Sequence, residues 1–234
     1  MARWFFVAPF FLLVATAGAQ TDPHSPVATK TGSAPALSVL HPELELQGTT
    51  PAVFATLIRE AGFSGGIAIS NEQCSRGAES SISIPAGTRF DIALGQFASS
   101  TTMFEWQLRD GVVNLFPAGS IPALLKVQIH RFEWDRAAPV SEIIARLRRL
   151  PEVSEETLKL GLEEAPIEGG ANAICIRGDC RNKSQLESKI EVEKGATLLT
   201  LLNRIVWAHS GSVWIYSEYH CDKGKLFSLE ESAQ

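Results

Sequence analysis

The chain carries five histidines and four cysteines, and these are the residues with the widest chemical range. His209, His220, Cys221 and Asp222 lie close together near the C-terminus and are the only grouping that suggests a metal. Zinc sites use close ligand pairs separated by a short fixed spacer, and this spacing matches none of them. No metal or other cofactor is therefore expected. His209 falls at the end of a helical pattern, where an imidazolium suits the carbonyl end of the dipole. Serines are plentiful, but no Gly-x-Ser-x-Gly elbow exposes one as a nucleophile. The acidic pairs Glu155-Glu156 and Glu163-Glu164 are sequence neighbours on solvated segments, whereas a glycosidase holds its two carboxyls across a groove. Gly65-Gly66 and Gly169-Gly170 lack the Lys-Ser/Thr of a phosphate loop. They read as backbone freedom before a strand. With each element of a catalytic site missing, the expectation is a non-catalytic protein.

Charge points the same way. The formal net charge is −5 with both signs interspersed, which provides no field for nucleic acid. The one basic cluster, Arg146, Arg148 and Arg149, lies on a helix with Glu142 four residues before Arg146. An intrahelical ion pair accounts for it.

The N-terminus reads as a secretory signal. Arg3 supplies the positive charge, Trp4 to Ala15 the apolar run, and Ala17-Gly18-Ala19 the small residues of a cleavage site. Cleavage between Ala19 and Gln20 is expected, giving a signal peptide over 1–19 and a periplasmic or secreted product. The run is shorter than the ~20 apolar residues of a membrane-spanning helix. No later stretch is apolar enough, so no integral membrane segment is expected after cleavage. Residues 20–36 are polar, rich in Pro, Ser, Thr and Ala and without periodicity, which predicts a disordered linker. An even number of cysteines in an exported chain favours disulfides. Cys74, Cys175, Cys180 and Cys221 permit three pairings. A local bridge from Cys175 to Cys180 across Gly178-Asp179 is one reading, and a buried thiol at Cys175 is the other.

The elements that would position these residues occur twice. In the first occurrence Val53, Phe54, Leu57, Ile58 and Ala61 form one helical stripe, with Thr50 as N-cap, Pro51 in the first turn and Gly62 as terminator. Ile67 and Ile69 alternate as a strand, and so do Ile82 and Ile84. Thr88 opens a second helix with Asp91 as a capping-box partner and Phe90, Ala93, Leu94 and Phe97 facing inward. Phe104, Trp106 and Leu108 then alternate up to Asp110-Gly111, a strong hairpin signal, and Val113 and Leu115 follow. In the second occurrence a strand over 124–134 carries a bulge near His130-Arg131. Pro139 opens a helix with Val140, Ile143, Ile144, Leu147 and Leu150 inward. Strands follow at Ile174/Ile176 and at Ile190/Val192. Thr197 caps a helix with Leu198, Leu201, Leu202, Ile205 and Val206 inward. A hairpin then turns at Asp222-Lys223-Gly224. Aligned without gaps, Thr88 meets Thr197 and Phe104 meets Val213. Residues 151–166 have no counterpart in the first copy.

This internal repeat predicts an α+β protein built as two tandem two-layer modules, each running strand, helix, strand, strand, helix, hairpin, with helices on one face of each sheet. The first module is set at 37–119, the second at 120–229, and a frayed tail at 230–234.

TPAVFATLIREAGFSGGIAIS, followed by SISIPAGTRFDIALGQFASSTTMFEWQLRDGVVNLFP, resembles the short N-terminal domain of secretins and TonB-dependent receptors over about residues 43–117. Gly62, Ile67, Ile69, Ile82, Ile84, Leu94, Phe104 and the Asp110-Gly111 turn sit at matching places. The second copy looks like a divergent relative, departing in its 151–166 insertion and its cysteine-bearing loop. The resemblance implies a periplasmic, non-catalytic module that contacts an envelope protein partner. No channel segment, plug or barrel accompanies it.

Trp214 and Tyr216 alternate with Val213 and Ile215, so one pair faces the helices. An outward Trp214/Tyr216 pair would be an apolar partner-binding patch; an inward pair would pack against the other module. The leading expectation is an exported interaction or assembly module. The alternatives are a secreted hydrolase and an envelope sensor that relays a signal by changing partner.

Overall fold

A computed structural model describes residues 43–71, 79–101, 104–166, 190–192, 195–222 and 224–232. In chain order the elements are β1 (Leu44–Thr49), α1 (Thr50–Glu60), β2 (Ser64–Asn71), β3 (Glu79–Ile84), α2 (Phe90–Ser100), β4 (Phe104–Arg109) and β5 (Val112–Pro117). A 3-10 turn at Leu124–Lys126 leads to β6 (Gln128–Ile129), β7 (Phe132–Trp134), α3 (Val140–Arg148), α4 (Pro151–Leu160), β8 (Leu162–Glu164), β9 (Ile190–Val192), β10 (Ala196–Thr197), α5 (Leu198–Ala208), β11 (Val213–Cys221) and β12 (Gly224–Ser232). The α+β class is as expected. The signal segment, the linker, Ile174/Ile176 and Cys74, Cys175 and Cys180 lie outside the described residues.

Local chemistry explains most boundaries. α1 stops at Gly62, whose φ of +73° suits a residue without Cβ. α4 begins on Pro151 and ends on Gly161, which takes the left-handed conformation at φ +65°. That Pro-to-Gly pair was legible, yet the sequence reading made no helix there. Thr197 caps α5 as expected, its hydroxyl accepting from the Thr200 N–H at 3.1 Å. Neither Thr50 nor Thr88 does the same. Thr50 lies inside α1 and pairs its hydroxyl with Ser80 at 2.7 Å. Thr88 donates to the Pro85 carbonyl at 2.6 Å, and Arg89 grips Asp91 instead. The strand expected over 124–134 begins instead as the 3-10 turn Leu124–Lys126, and the rest is divided, because the two sides of the His130-Arg131 break pair with different strands, β6 with β10 and β7 with β9. The tail is not frayed through 232. Phe227 and Leu229 anchor β12, which pairs with β11 out to Ser232 opposite Val213.

The sheets are not two separate small ones. One six-stranded sheet runs β4-β5-β2-β11-β12-β8. Three antiparallel two-stranded pairs, β1-β3, β6-β10 and β7-β9, stand apart from it. Within the large sheet, β4-β5 and β11-β12 are antiparallel hairpins. The pairs β5-β2, β2-β11 and β12-β8 are parallel. The order β4-β5-β2 therefore recurs as β11-β12-β8 with every strand direction reversed. A half-turn about an axis lying across the strands, plus a shift along it, relates the two triplets, and such an operation also exchanges the faces of the sheet.

The cores obey that operation. One face carries α1 and α2, with Val53, Phe54, Leu57, Phe90, Leu94 and Phe97 buried against Ile67, Val113 and Leu115 and backed by Ile82 and Ile84 of the β1-β3 ribbon. The opposite face carries α3 and α5, with Ile143, Leu147, Leu202 and Ile205 buried against Trp214 and Phe227 and backed by Phe132 and Ile190 of the β7-β9 ribbon. Each core borrows from the neighbouring triplet. Val213 joins the first, while Ala68, Val112 and Phe116 join the second. α4 has no equivalent in the first triplet, but β8 occupies the place that β2 holds there. The ungapped alignment of Phe104 with Val213 fails on parity. Phe104 faces its own helices and Val213 faces the opposite pair, and a one-residue slip reverses the face of every side chain.

Candidate interaction surface

The central seam joins β2 to β11, from Val213 opposite Gly65 to Tyr219 opposite Asn71. Gly65 and Gly66 lie within β2, so they do not merely precede a strand. A Cβ on Gly66 would sit 1.8 Å from the Trp214 ring, and one on Gly65 would meet Ile58 at 3.0 Å. The glycine pair thus lets Trp214 from one side and α1 from the other close on the same strand. Trp214 Nε1 donates to Asn203 Oδ1 of α5 at 2.9 Å, and Ser64 donates to the Val206 carbonyl at 2.8 Å. An outward Trp214/Tyr216 patch is therefore ruled out. Both side chains are 0 % exposed, because the parity of β11 turns them under α5 and α3. The alternative, packing across the seam, is what these residues do.

The two ends of the large sheet differ. β8 is three residues long and reads Leu-Glu-Glu. Glu164 is paired with Arg148, and Ala165-Pro166 follows. Shortness, charge and a nearby proline are the usual means of blunting an edge. β4 is six residues, Phe-Glu-Trp-Gln-Leu-Arg, without proline or lysine. Its hairpin turns through Asp110 and Gly111 at φ +51° and +79°, the type I′ geometry of a two-residue loop. Such a turn makes Arg109 and Val112 a hydrogen-bonded pair, and alternation continues up the ladder. Phe104 then faces Pro117 in a non-hydrogen-bonded position, as a residue lacking an N–H requires. It follows that the N–H and C=O groups of Phe104, Trp106 and Leu108 point away from β5. Their side chains pack, half-buried, on the first core.

Trp207 stands beside this edge. It is 60 % exposed on α5, and its ring rests on the β4-β5 turn, where a Cβ on Gly111 would meet it at 2.4 Å. An indole left this open is unusual on a single chain. Sequence reasoning missed it because position 207 falls on the outer side of the α5 stripe; the signal was an aromatic where that helix should be polar.

The polar groups singled out earlier are spoken for. His209 Nδ1 is 2.6 Å from Ser212 Oγ, which donates to Glu231 at 2.9 Å. The serine sits between the imidazole and the carboxylate, whereas a nucleophile needs the imidazole between serine and acid. It ties the end of α5 to both strands of the last hairpin. Tyr216 donates to Glu218; burial first, then that carboxylate, push its hydroxyl pKa well above the ordinary tyrosine range. His220 Nε2 stands 3.7 Å from Glu218. Among the described residues no group of three or more His, Cys, Asp or Glu is placed to hold a metal ion. Cys221 ends β11 and is not a free thiol. Glu142 pairs with Arg136 across the β7-α3 loop, not with Arg146. Arg136 and Arg146, which line the depression there together with Arg149, lie over Trp134 at 4.8 and 5.9 Å, and Arg136 also has Glu142 as a partner. No helix among the described residues is long and apolar enough to cross a membrane.

Comparison with family models, with curated proteins and with solved structures gives no match.

Proposed function

We propose that the chain is an exported, non-catalytic interaction module of the bacterial-envelope type, made of two copies of one unit that resembles the short N-terminal domains of secretins and TonB-dependent receptors. The observation that carries this reading is the recurrence of one pairing scheme, β4-β5-β2 and β11-β12-β8, with the two joined edge to edge. A unit that already associates through its strand edges inside the chain, and leaves β4 open among the described residues, is equipped to do the same with another protein. The partner is an envelope protein. A photo-crosslinking residue at position 107 on β4 captures a defined species in envelope extract, and the same residue at position 155 on α4 does not. Equal capture from both positions contradicts the reading. Turnover of ester, peptide or glycan substrates by the purified chain would replace it with the hydrolase alternative.

Export is part of the proposal. Amino-terminal sequencing of the product should begin at Gln20, in the periplasmic or medium fraction. For the cysteines we propose Cys74 with Cys221. In the seam register Asn71 faces Tyr219, and Cys74 comes three residues after the one where Cys221 comes two after the other. Cys175 and Cys180 are then left to bridge locally. An oxidising compartment suits both, and non-reducing peptide mapping checks them.

A further inference from the structure

Deepening that reading, and resting on it, we propose that β4 receives one extended segment of the partner, parallel to β4, with small residues alternating toward α2 and its C-terminal end laid against Trp207. The chain contains the template. β11 holds the same place in its triplet that β4 holds in the other, with the hairpin partner on one side and its second edge facing away. That second edge is covered by a parallel strand, β2. By the hairpin alternation set by the Cys221–Gly224 pair, the groups of β11 that point to β2 belong to Trp214 and Tyr216, whose side chains face their own helices. The groups of β4 that point outward belong to Phe104, Trp106 and Leu108, whose side chains also face their own helices.

The two faces of β4 set what the incoming strand must look like. Toward α2 it meets Phe104, Trp106 and Leu108, all half-buried, so its residues on that side are small, as Gly66 and Ala68 are opposite Trp214 and Tyr216. On the other face it meets Glu105, Gln107 and Arg109, whose long stems cover larger apolar residues such as Ile67 and Ile69 of β2. A segment parallel to β4 ends at the Asp110-Gly111 turn, where the free face of Trp207 lies. β2 itself, Ser-Gly-Gly-Ile-Ala-Ile-Ser-Asn, has this alternation. A second copy of the chain is a poor donor, since its β2 is already committed to β11 and its two sheet edges are β8, short and acidic, and β4, whose inward row of Phe104, Trp106 and Leu108 is too bulky to lie under the same row of another copy.

The probe is a fluorescent peptide of residues 62–71, GFSGGIAISN, titrated into the full mature chain and read by anisotropy. Saturable binding is expected, at least tenfold tighter than a composition-matched scramble. On binding, the amides of Trp106 and Leu108 gain at least tenfold protection from hydrogen exchange. A nitroxide on the peptide N-terminus broadens Phe104 signals more than those of Arg109. Trp207→Ala weakens the peptide several-fold while leaving the chain folded. Absence of saturable binding, protection at β8 in place of β4, or reversed nitroxide broadening each overturns the proposal. So does a concentration-dependent dimer that protects Trp106 without peptide, since the occupant would then be a second copy. Crosslinking at position 107 that survives such a failure would leave the broader reading standing.

Discussion

β4 and β11 occupy the same station in their triplets and have opposite fates. β11 is covered on both edges and both faces, and it carries two of the largest fully buried side chains, Trp214 and Tyr216. Among the described residues β4 is paired on one edge only, and its inward row, Phe104, Trp106 and Leu108, is half-buried. The contrast shows what finishing a strand of this unit requires. A parallel neighbour with small residues must come close enough for an aromatic to lie over it. β2 brings Gly66 to Trp214, and nothing in the described residues does this for β4.

The largest expected effect lies at the covered strand. Trp214→Ala should cost about 3–5 kcal/mol in urea unfolding, because the site cannot collapse around the lost ring. Trp106→Ala should cost less than half of that, and equal losses would erase the distinction between the strands. Next comes Gly66→Ala, where the new methyl overlaps the Trp214 ring and overpacking costs about 1–3 kcal/mol. Gly95→Ala is the control. It sits in α2 with nothing within 4 Å of an added Cβ, and alanine there should stabilise by roughly 0.5–1 kcal/mol. Asn203→Ala removes the acceptor for Trp214 Nε1 and should cost about 1–3 kcal/mol. Trp207→Ala should change stability by no more than about 0.5 kcal/mol, separating its proposed role from the packing role of Trp214. The smallest effect concerns pH. Burial alone would raise the carboxyl pKa of Glu152, but hydrogen bonds from backbone N–H groups, including that of His130, and from the His130 ring outweigh it and hold the pKa below the ordinary glutamate range. A lowered folded pKa stabilises above about pH 4.3, the ordinary glutamate value, and that contribution fades as pH falls through the folded value. Glu152→Gln should flatten the acid limb of a plot of urea midpoint against pH by lowering the neutral plateau slightly, with the low-pH end unchanged.

The sequence made the repeat and its α+β class readable because each helix has a clean apolar stripe and each hairpin a clear turn. Val53 to Ile58 and Leu198 to Val206 are buried where periodicity placed them. Face assignment was harder. Trp214 and Tyr216 against Val213 and Ile215 are two apolar rows on one strand, and periodicity cannot say which row lies under α5 when helices cover both faces. The seam was hidden for a related reason. Parallel pairing of β2 with β11 joins residues roughly 150 apart, and its one local trace, Gly65-Gly66, reads equally well as a flexible lead-in. At the interaction surface, the β4 alternation was visible but its open edge was not, since an edge is defined by which strand fails to arrive.

The most direct test compares backbone amides in the free chain by NMR-detected hydrogen exchange. The account predicts that Trp106 and Leu108, which point away from β5, exchange at least a hundredfold faster than Trp214 and Tyr216, which point into the seam. Matching slow exchange at both sets would mean that β4 is already covered in the isolated protein, and the open-edge account would be wrong.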